Sequence, residues 1–346
     1  MKRCSRTCWV MAAAISSLLC VSQLGAEGIG MVTGTSTGTY IQFGQDIAKV
    51  AQSVGLELVV KESEGSIDNI RRLVSAENAA LGIVQSDVLG FLSRSTDPQV
   101  RRIASRLRLI FPFYNEEVHL LARPDIRRFE DLTGRRMVVG TQASGNWVTS
   151  SNLLRMVHVN PAELIELPPP EGVSAVLTGQ ADAMLYVVGK PAKLFTAVLE
   201  LQKDARFGHL TKNIHFVPLT HPAMLQEYVA SSLGPDDYAW LNETVSTVAV
   251  KAALISFDFS SRKNAHYQQR CTEIGKLGTA IYENLADLQR SAHPKWKEVD
   301  LDQDIGAWKR DTCSRVVRRA TPQAPQTADD LLKAITDILK GRGQPR

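Results

Sequence analysis

The chain has 346 residues, 44% of them hydrophobic, and its 40 basic and 36 acidic side chains give a formal net charge of +4. This length exceeds one ordinary hydrophobic core and suits two lobes. The near balance of charge excludes the strongly basic surface typical of proteins that bind nucleic acid.

The first 26 residues have the layout of a secretory signal. A basic start at residues 2–6 precedes an apolar stretch at 9–24, and small residues follow up to Ala26. The apolar stretch is short for a membrane span, and no later apolar run is long enough for one. We expect cleavage after Ala26 and a periplasmic mature chain; an uncleaved anchor is the alternative. Cleavage removes three basic charges and no acidic one, which leaves a net charge of +1.

Strand and helix patterns alternate through the next hundred residues. Short apolar strands are predicted at residues 29–33, 56–60 and 81–84. Apolar residues at helical spacing follow the first two strands, at residues 40–51 and 67–74. This alternation predicts a parallel sheet with right-handed crossovers.

A second α/β unit follows two extended segments predicted at residues 101–113 and 118–122. Its strands are predicted at 136–140, 164–167, 183–188 and 214–219, and its helices at 147–156 and 173–178. Residues 247–256 are apolar throughout and fit either a helix or a strand that returns to the first unit. An amphipathic helix from Tyr267 should pack on the first unit, and a terminal helix is predicted at 329–339.

The pattern predicts an α/β fold of two doubly wound lobes. Lobe I would comprise residues 27–122 and, after the chain returns, residues 246–346 with the C-terminal helices. Lobe II would comprise residues 123–245. Residues 1–26 are the predicted signal.

Cys271 and Cys313 are the two cysteines outside the signal segment. In an oxidising compartment a lone pair favours one disulfide, and two buried free thiols are the alternative. Neither cysteine has the close Cys or His companions of a metal site. The bridge would close a long C-terminal loop and stabilise the fold by about 2–4 kcal/mol.

Two polar loops, at residues 34–39 and 141–146, precede helices at the expected carboxyl ends of the strands. Ligands bind at this edge of an open α/β sheet, and the unpaired N–H groups of a helix start attract a carboxylate. One such loop alone is more often a turn with a helix cap. Two loops that face each other from separate lobes favour a site for a small anionic metabolite.

Several other side chains allow more than one interpretation. Gln85 and Asp87 end the third strand at the same crevice, where Asp87 either holds a ligand ammonium or, as we favour, caps the following helix. For Tyr40, Trp147 and Tyr186, packing is favoured over ligand contact for each taken alone. The loops lack a phosphate-binding GxxxxGK[ST] motif and a GxSxG nucleophile motif, and no cofactor site is predicted.

Eight short segments share their order and spacing with a known family. They are VTGTSTGTY (32–40), GSIDNI (65–70), GIVQSD (82–87), VHLLA (118–122), LTGRRMVVG (132–140), SG (144–145), GQADA (179–183) and VGKP (188–191). Together they resemble the TAXI family of solute receptors, which serve tripartite ATP-independent periplasmic (TRAP) transporters. The resemblance covers roughly residues 28–195.

The resemblance implies a type II periplasmic-binding-protein fold with a hinged ligand cleft, and delivery of a ligand to an integral membrane permease driven by an ion gradient. It also implies a carboxylate ligand such as glutamate or 2-oxoglutarate. Motif by motif, it assigns ligand binding to Thr35, Ser36, Thr39, Tyr40, Ser66, Gln85, Ser144, Gly145 and Asn146. The first loop has fewer glycines than is usual in the family, and Asn146 stands where a threonine is common.

The expected protein is therefore a binding protein without catalysis. One alternative is a receptor that presents its ligand to a sensor kinase instead of a permease. A less favoured alternative is an enzyme on the same two-lobed scaffold, which would need an acid–base pair or a cofactor lysine in the cleft.

Overall fold

The computed structural model describes residues 28–36, 38–75 and 79–314. The predicted signal and the predicted helix at 329–339 lie outside these ranges. The first part of the chain contains four strands and four helices: β1 (Ile29–Val32), α1 (Thr39–Ser53), β2 (Leu58–Lys61), α2 (Ser66–Ser75), β3 (Leu81–Gln85), α3 (Val88–Ser93), α4 (Pro98–Arg106) and β4 (Leu107–Ala122).

The remaining helices and strands also follow in chain order. They are β5 (Arg136–Val138), α5 (Gly145–Val157), β6 (Glu163–Ile165), α6 (Pro169–Thr178), β7 (Ala183–Val188), α7 (Lys193–Lys203), β8 (His215–Phe216), α8 (Pro222–Glu227), β9 (Val229–Leu233), β10 (Val245–Phe257), α9 (Ala265–Glu283) and α10 (Leu285–Ser291).

The strands form one continuous path in the order β2-β1-β3-β10-β4-β7-β5-β6. In lobe I, β1 pairs in parallel with β2 and β3, and in lobe II, β5 pairs in parallel with β6 and β7. The long antiparallel strands β4 and β10 pair with each other and cross between these two groups. This is the predicted two-lobed α/β arrangement of periplasmic binding proteins, and the predicted fold class is confirmed.

The two crossing strands are mostly apolar and are buried along nearly their whole length. Residues 247–256, which fitted a helix or a strand, belong to β10. The pairing of β10 with β4 has register irregularities between Lys251 and Ala253 and between Leu254 and Ile255. Irregularities of this kind bend a strand locally. The one at Lys251 lies between the part of β10 that pairs with β9 and the part that pairs with β3.

The prediction that residues 101–113 are extended is wrong for its first half. Asp97 accepts a hydrogen bond from the Gln99 N–H, and Pro98 occupies the first turn of α4. This cap and the preset proline dihedral start a helix that continues through Arg106, after which β4 begins. The extended segments predicted on either side of Asn115 are parts of the single strand β4.

Helix α9 packs on α1. Ile274, Leu277 and Ile281 of α9 share a buried core with Phe43 of α1. Cys271 of α9 is joined to Cys313 by the predicted disulfide, which ties the end of the described chain to this helix. No helix within the described ranges is both long and apolar enough to cross a bilayer.

Candidate functional site

A cavity of about 380 Å³ lies between the two lobes at the carboxyl ends of the parallel strands. Among the predicted ligand-binding residues, those that line it are Thr35, Thr39, Tyr40, Ser66, Gln85, Ser144, Gly145 and Asn146. Ser36 is exposed and is not part of the lining. The structure therefore brings residues from both polar loops to one space.

The first loop leads directly into α1. Gly38 is the N-cap with extended backbone angles, and it makes no side-chain cap. Its N–H donates to the Thr35 carbonyl at 3.0 Å, which folds the loop back on itself. Thr39 and Tyr40 then form the first turn of α1 at the cavity wall. The positive end of the helix dipole thus faces the cavity.

The second loop leads into α5 in a different way. The Ser144 hydroxyl caps this helix: it accepts from the Trp147 N–H at 3.3 Å and donates to the Thr141 carbonyl at 2.7 Å. Asn146 is anchored through its side-chain oxygen, which accepts from the Val187 N–H at 2.9 Å. These bonds fix a second helix start at the same cavity.

The two lobes are in contact at this edge. The Ala143 carbonyl of lobe II accepts hydrogen bonds from the N–H groups of Ile67 and Asp68 at the start of α2, both at 3.1 Å. Gly145 packs so closely against lobe I that an added Cβ would lie 2.0 Å from Gln85 Oε1. The structure is therefore a closed form in which lobe II rests on lobe I.

A second contact between the lobes, which we name the latch, is centred on Asp87 at the end of β3. Its Oδ2 accepts hydrogen bonds from Tyr228 OH at 2.8 Å, Thr149 Oγ1 at 2.9 Å and Asn152 Nδ2 at 3.3 Å. All three donors belong to lobe II. The favoured prediction that Asp87 caps α3 is wrong, because its side chain makes no cap hydrogen bond. Burial raises the pKa of this carboxyl above its ordinary value.

The sequence analysis missed Glu116, which lies on β4 in the cavity lining and is only 4% exposed. Tyr40 OH donates to Glu116 Oε2 at 2.6 Å. Burial raises the pKa of Glu116 to about 8, more than the Tyr40 hydrogen bond lowers it. The available signal was the polar run Asn115-Glu116-Glu117 inside an otherwise apolar strand.

The charges of the lining are unusual for an anion site. Its carboxyl groups are Glu64 and Glu116, and among the described lining residues there is no Lys, Arg or His. Tyr186 also faces the cavity, and burial raises its pKa to about 12, so the phenol stays a neutral donor. Positive potential inside the cavity therefore comes from helix starts rather than from cationic side chains.

An outer chamber of about 690 Å³ continues from the cavity towards solvent and shares Thr35, Thr39 and Tyr186 with it. The lining of this chamber includes Lys190, Lys193 and Lys295 together with Glu171 and Glu298. Lys190 and Lys295 form ion pairs with acidic side chains, so the charges around the chamber largely offset one another. The described residues include no group of three or more His, Cys, Asp or Glu placed to hold a metal ion.

Two lobes joined by two crossing strands, with a polar cavity between them, form the fold of periplasmic solute-binding proteins. A family model described as the NMT1-like family matches residues 31–308, and the chain belongs to that family. Its members are periplasmic solute-binding proteins. The predicted class, a periplasmic solute-binding protein, is thereby confirmed. Assignment to the TAXI family is more specific than this match. No curated protein matches the chain.

Solved structures of similar shape are distant in sequence. MatC from Rhodopseudomonas palustris with bound malate is 14% identical, with 76% of this chain and 86% of that chain covered and a TM-score of 0.47. The sulfonate-binding protein SsuA from Methylobacillus flagellatus is 10% identical (76% and 69% covered, TM-score 0.44). The periplasmic VFT2 domain of BvgS from Bordetella pertussis is 13% identical (78% and 95% covered, TM-score 0.40).

Proposed function

We propose that this NMT1-like protein captures a small carboxylate in the cavity and delivers it to a TRAP-type secondary transporter. The observation that carries the proposal is the convergence of two helix starts, from α1 of lobe I and α5 of lobe II, on one cavity. N–H groups at helix starts lack partners within the helix and favour an anion. A carboxylate between them would contact both lobes at once.

Closure explains how binding would be reported to a partner. A ligand shifts an equilibrium between open and closed forms only through contacts that differ between them. The contacts of Ala143 with α2, and of Gly145 with Gln85, are contacts between the lobes. A carboxylate held by both helix starts favours the form in which these contacts exist, and a permease would recognise that form.

The ligand class is tested by calorimetric titration with dicarboxylates, 2-oxo acids and amino acids. Gly145→Ala is the matched cleft variant, because its methyl group would collide with Gln85 and Ser66 and keep the lobes apart. We expect it to weaken binding at least a hundredfold. Gly234→Ala is the control, since its added Cβ meets just the Thr244 hydroxyl, at 3.3 Å. Wild-type protein that binds no small carboxylate, or a Gly145→Ala variant that binds normally, contradicts the proposal.

The type of transporter rests on the resemblance of the eight sequence segments to TAXI receptors. Uptake of the identified ligand by cells that make the protein tests it. We expect uptake to stop when the sodium or proton gradient is collapsed and to persist when ATP is depleted under a maintained gradient. The reverse pattern would assign the protein to an ATP-driven transporter, and the absence of any uptake would leave the sensor role as the better explanation.

A further inference from the structure

We propose that Glu116 binds the ligand as a neutral acid, so that its proton is donated to a carboxylate of the ligand and capture of the anion is coupled to one proton. This inference rests on the proposed function, because it takes the ligand to be a small carboxylate. It assigns to Glu116 the role of a specificity-determining residue in the cleft.

The geometry favours a proton on Glu116 when a carboxylate is bound. Glu116 is buried and lines the cavity from the β4 side. Tyr40 OH already donates to one of its oxygens, Oε2. A ligand carboxylate next to a second, ionised carboxylate would be repelled in a buried site that has no cationic side chain among its described lining residues. One proton shared between the two carboxyl groups turns this repulsion into a hydrogen bond.

The titratable groups around Glu116 act in both directions. The charges of Glu117 and Asp87 raise the pKa of its carboxyl, whereas the hydrogen bond from Tyr40 and the charge of Lys295 lower it, and burial outweighs both. Tyr114 and Tyr186 also interact with Glu116, and burial raises the pKa of each phenol. Lys295 is the one cation of this set, and its Nζ contacts Glu117 and Glu298. Burial and the charge of Glu117 raise the pKa of Glu116 to about 8, so its carboxyl is neutral at pH 7.

A neutral acid at this wall also selects the ligand's chemistry. It donates one hydrogen bond and therefore suits an oxygen acceptor, such as a carboxylate or a 2-oxo group. An ammonium group there would instead require the ionised form, whose burial is costly. We therefore expect a 2-oxo acid or a dicarboxylate to bind more tightly than the amino acid of the same carbon skeleton.

The test is calorimetric titration of wild type between pH 6 and pH 9.5, with the tightest carboxylate of the panel. Affinity should be constant up to about pH 8 and then fall tenfold for each further pH unit, because each binding event must take up a proton. Titrations at pH 9 in buffers of different ionisation enthalpy should show uptake approaching one proton. This measurement needs no variant and does not depend on how a variant folds.

Two variants complete the experiment. Glu116→Gln replaces the acid with a neutral amide donor and should bind within threefold of wild type at pH 7, with no fall above pH 8. Glu130→Gln alters an exposed carboxyl outside the cavity lining and should keep the wild-type pH profile. Two results would overturn the proposal that Glu116 binds the ligand as a neutral acid. One is carboxylate binding by wild type with a flat pH profile, and the other is a Glu116→Gln variant that binds more than tenfold more weakly at pH 7. If wild type binds no carboxylate at all, it is the proposed function that fails.

Discussion

Two adjacent carboxyl groups of β4, on opposite sides of the strand at the lobe junction, have different kinds of partner. Glu116 and Glu117 are 4% and 2% exposed, and successive side chains of a strand point to opposite faces. On the cavity side, Glu116 meets the hydroxyl of Tyr40. On the other side, both oxygens of Glu117 lie 3.3 Å from Lys295 Nζ. Burial alone therefore does not decide how a carboxyl group is neutralised.

The Glu117 side is a network that spans the chain. The Lys190 N–H donates to Glu117 Oε2 at 2.9 Å, and Lys295 also binds Glu298 at 2.8 Å. Lys190 Nζ in turn binds Asp237 at 3.0 Å. In this network each charged side chain has a partner of opposite charge, and the network joins segments that meet where β4 crosses between the lobes. On the cavity side, no cationic side chain among the described lining residues pairs with Glu116. Its charge is therefore neutralised by a proton or by a ligand.

The largest expected effect is on the ion-paired side. Lys295→Met removes the cation that faces Glu117 and leaves a buried carboxylate without its partner. Loss of one member of a buried pair costs about 3–5 kcal/mol, so the free energy of unfolding measured in urea at pH 8 should fall by that amount. Lys297→Met, at an exposed lysine of the same turn, is the control and should have little effect. Equal stability of the two variants would show that the pair contributes nothing.

Replacing each of the two glutamates by glutamine tests the comparison directly. Between its ordinary pKa of 4.5 and its folded value of about 8, Glu116 keeps a proton that the unfolded chain releases, so wild-type stability falls as the pH rises through this window. Glu116→Gln removes this loss. Relative to wild type, its free energy of unfolding should rise by roughly 4 kcal/mol from pH 4 to pH 8.

Burial raises the pKa of Glu117 as well, but Lys295 opposes this effect. Glu117→Gln should lower the free energy of unfolding at pH 8, because it takes a carboxylate away from Lys295. Loss of such a buried charged partner costs about 1–3 kcal/mol. The measurement is urea denaturation of both variants and wild type at pH 4 and pH 8. The contrast between the two sides of β4 disappears if both substitutions shift stability in the same direction at pH 8.

The smallest effect is expected at the latch, where a third carboxyl group is bound by neutral donors of the opposite lobe. Tyr228→Phe removes one of the three hydrogen bonds to Asp87, a loss of about 1 kcal/mol from the closed form. Ligand affinity should fall about fivefold by calorimetry. Tyr267→Phe is the control, because its hydroxyl binds Arg106 within lobe I. An unchanged affinity in Tyr228→Phe would mean that the latch does not distinguish the open and closed forms.

Local patterns were sufficient to predict the fold class and most positions of the cleft. Strand–loop–helix order places residues 34–39 and 141–146 at one edge of a sheet, and both loops line the cavity. Ser36 could not be separated from its neighbours in this way, because the direction of a loop side chain depends on the exact turn. The same limit applies to Ser144, whose hydroxyl is used in the cap of α5.

The charged residues of the junction depend on contacts distant in the chain. Glu117 and Lys295 lie 178 positions apart, and Asp87 and Tyr228 lie 141 apart. Glu116 lies between two segments that looked like separate strands, so neither its face nor its burial could be assigned before the continuous course of β4 was known. Hydrophobic periodicity carries no information about such pairings.

The paired course of β4 and β10 also bears on the speed of capture. The strands remain hydrogen-bonded to each other across the junction, and the irregular register near Lys251 is where they bend most easily. Opening and closing by bending a paired ribbon requires neither unfolding nor the ordering of loose linkers. We therefore expect tight and weak ligands to associate at similar rates. Their difference in affinity should come from the time that each stays bound in the closed form.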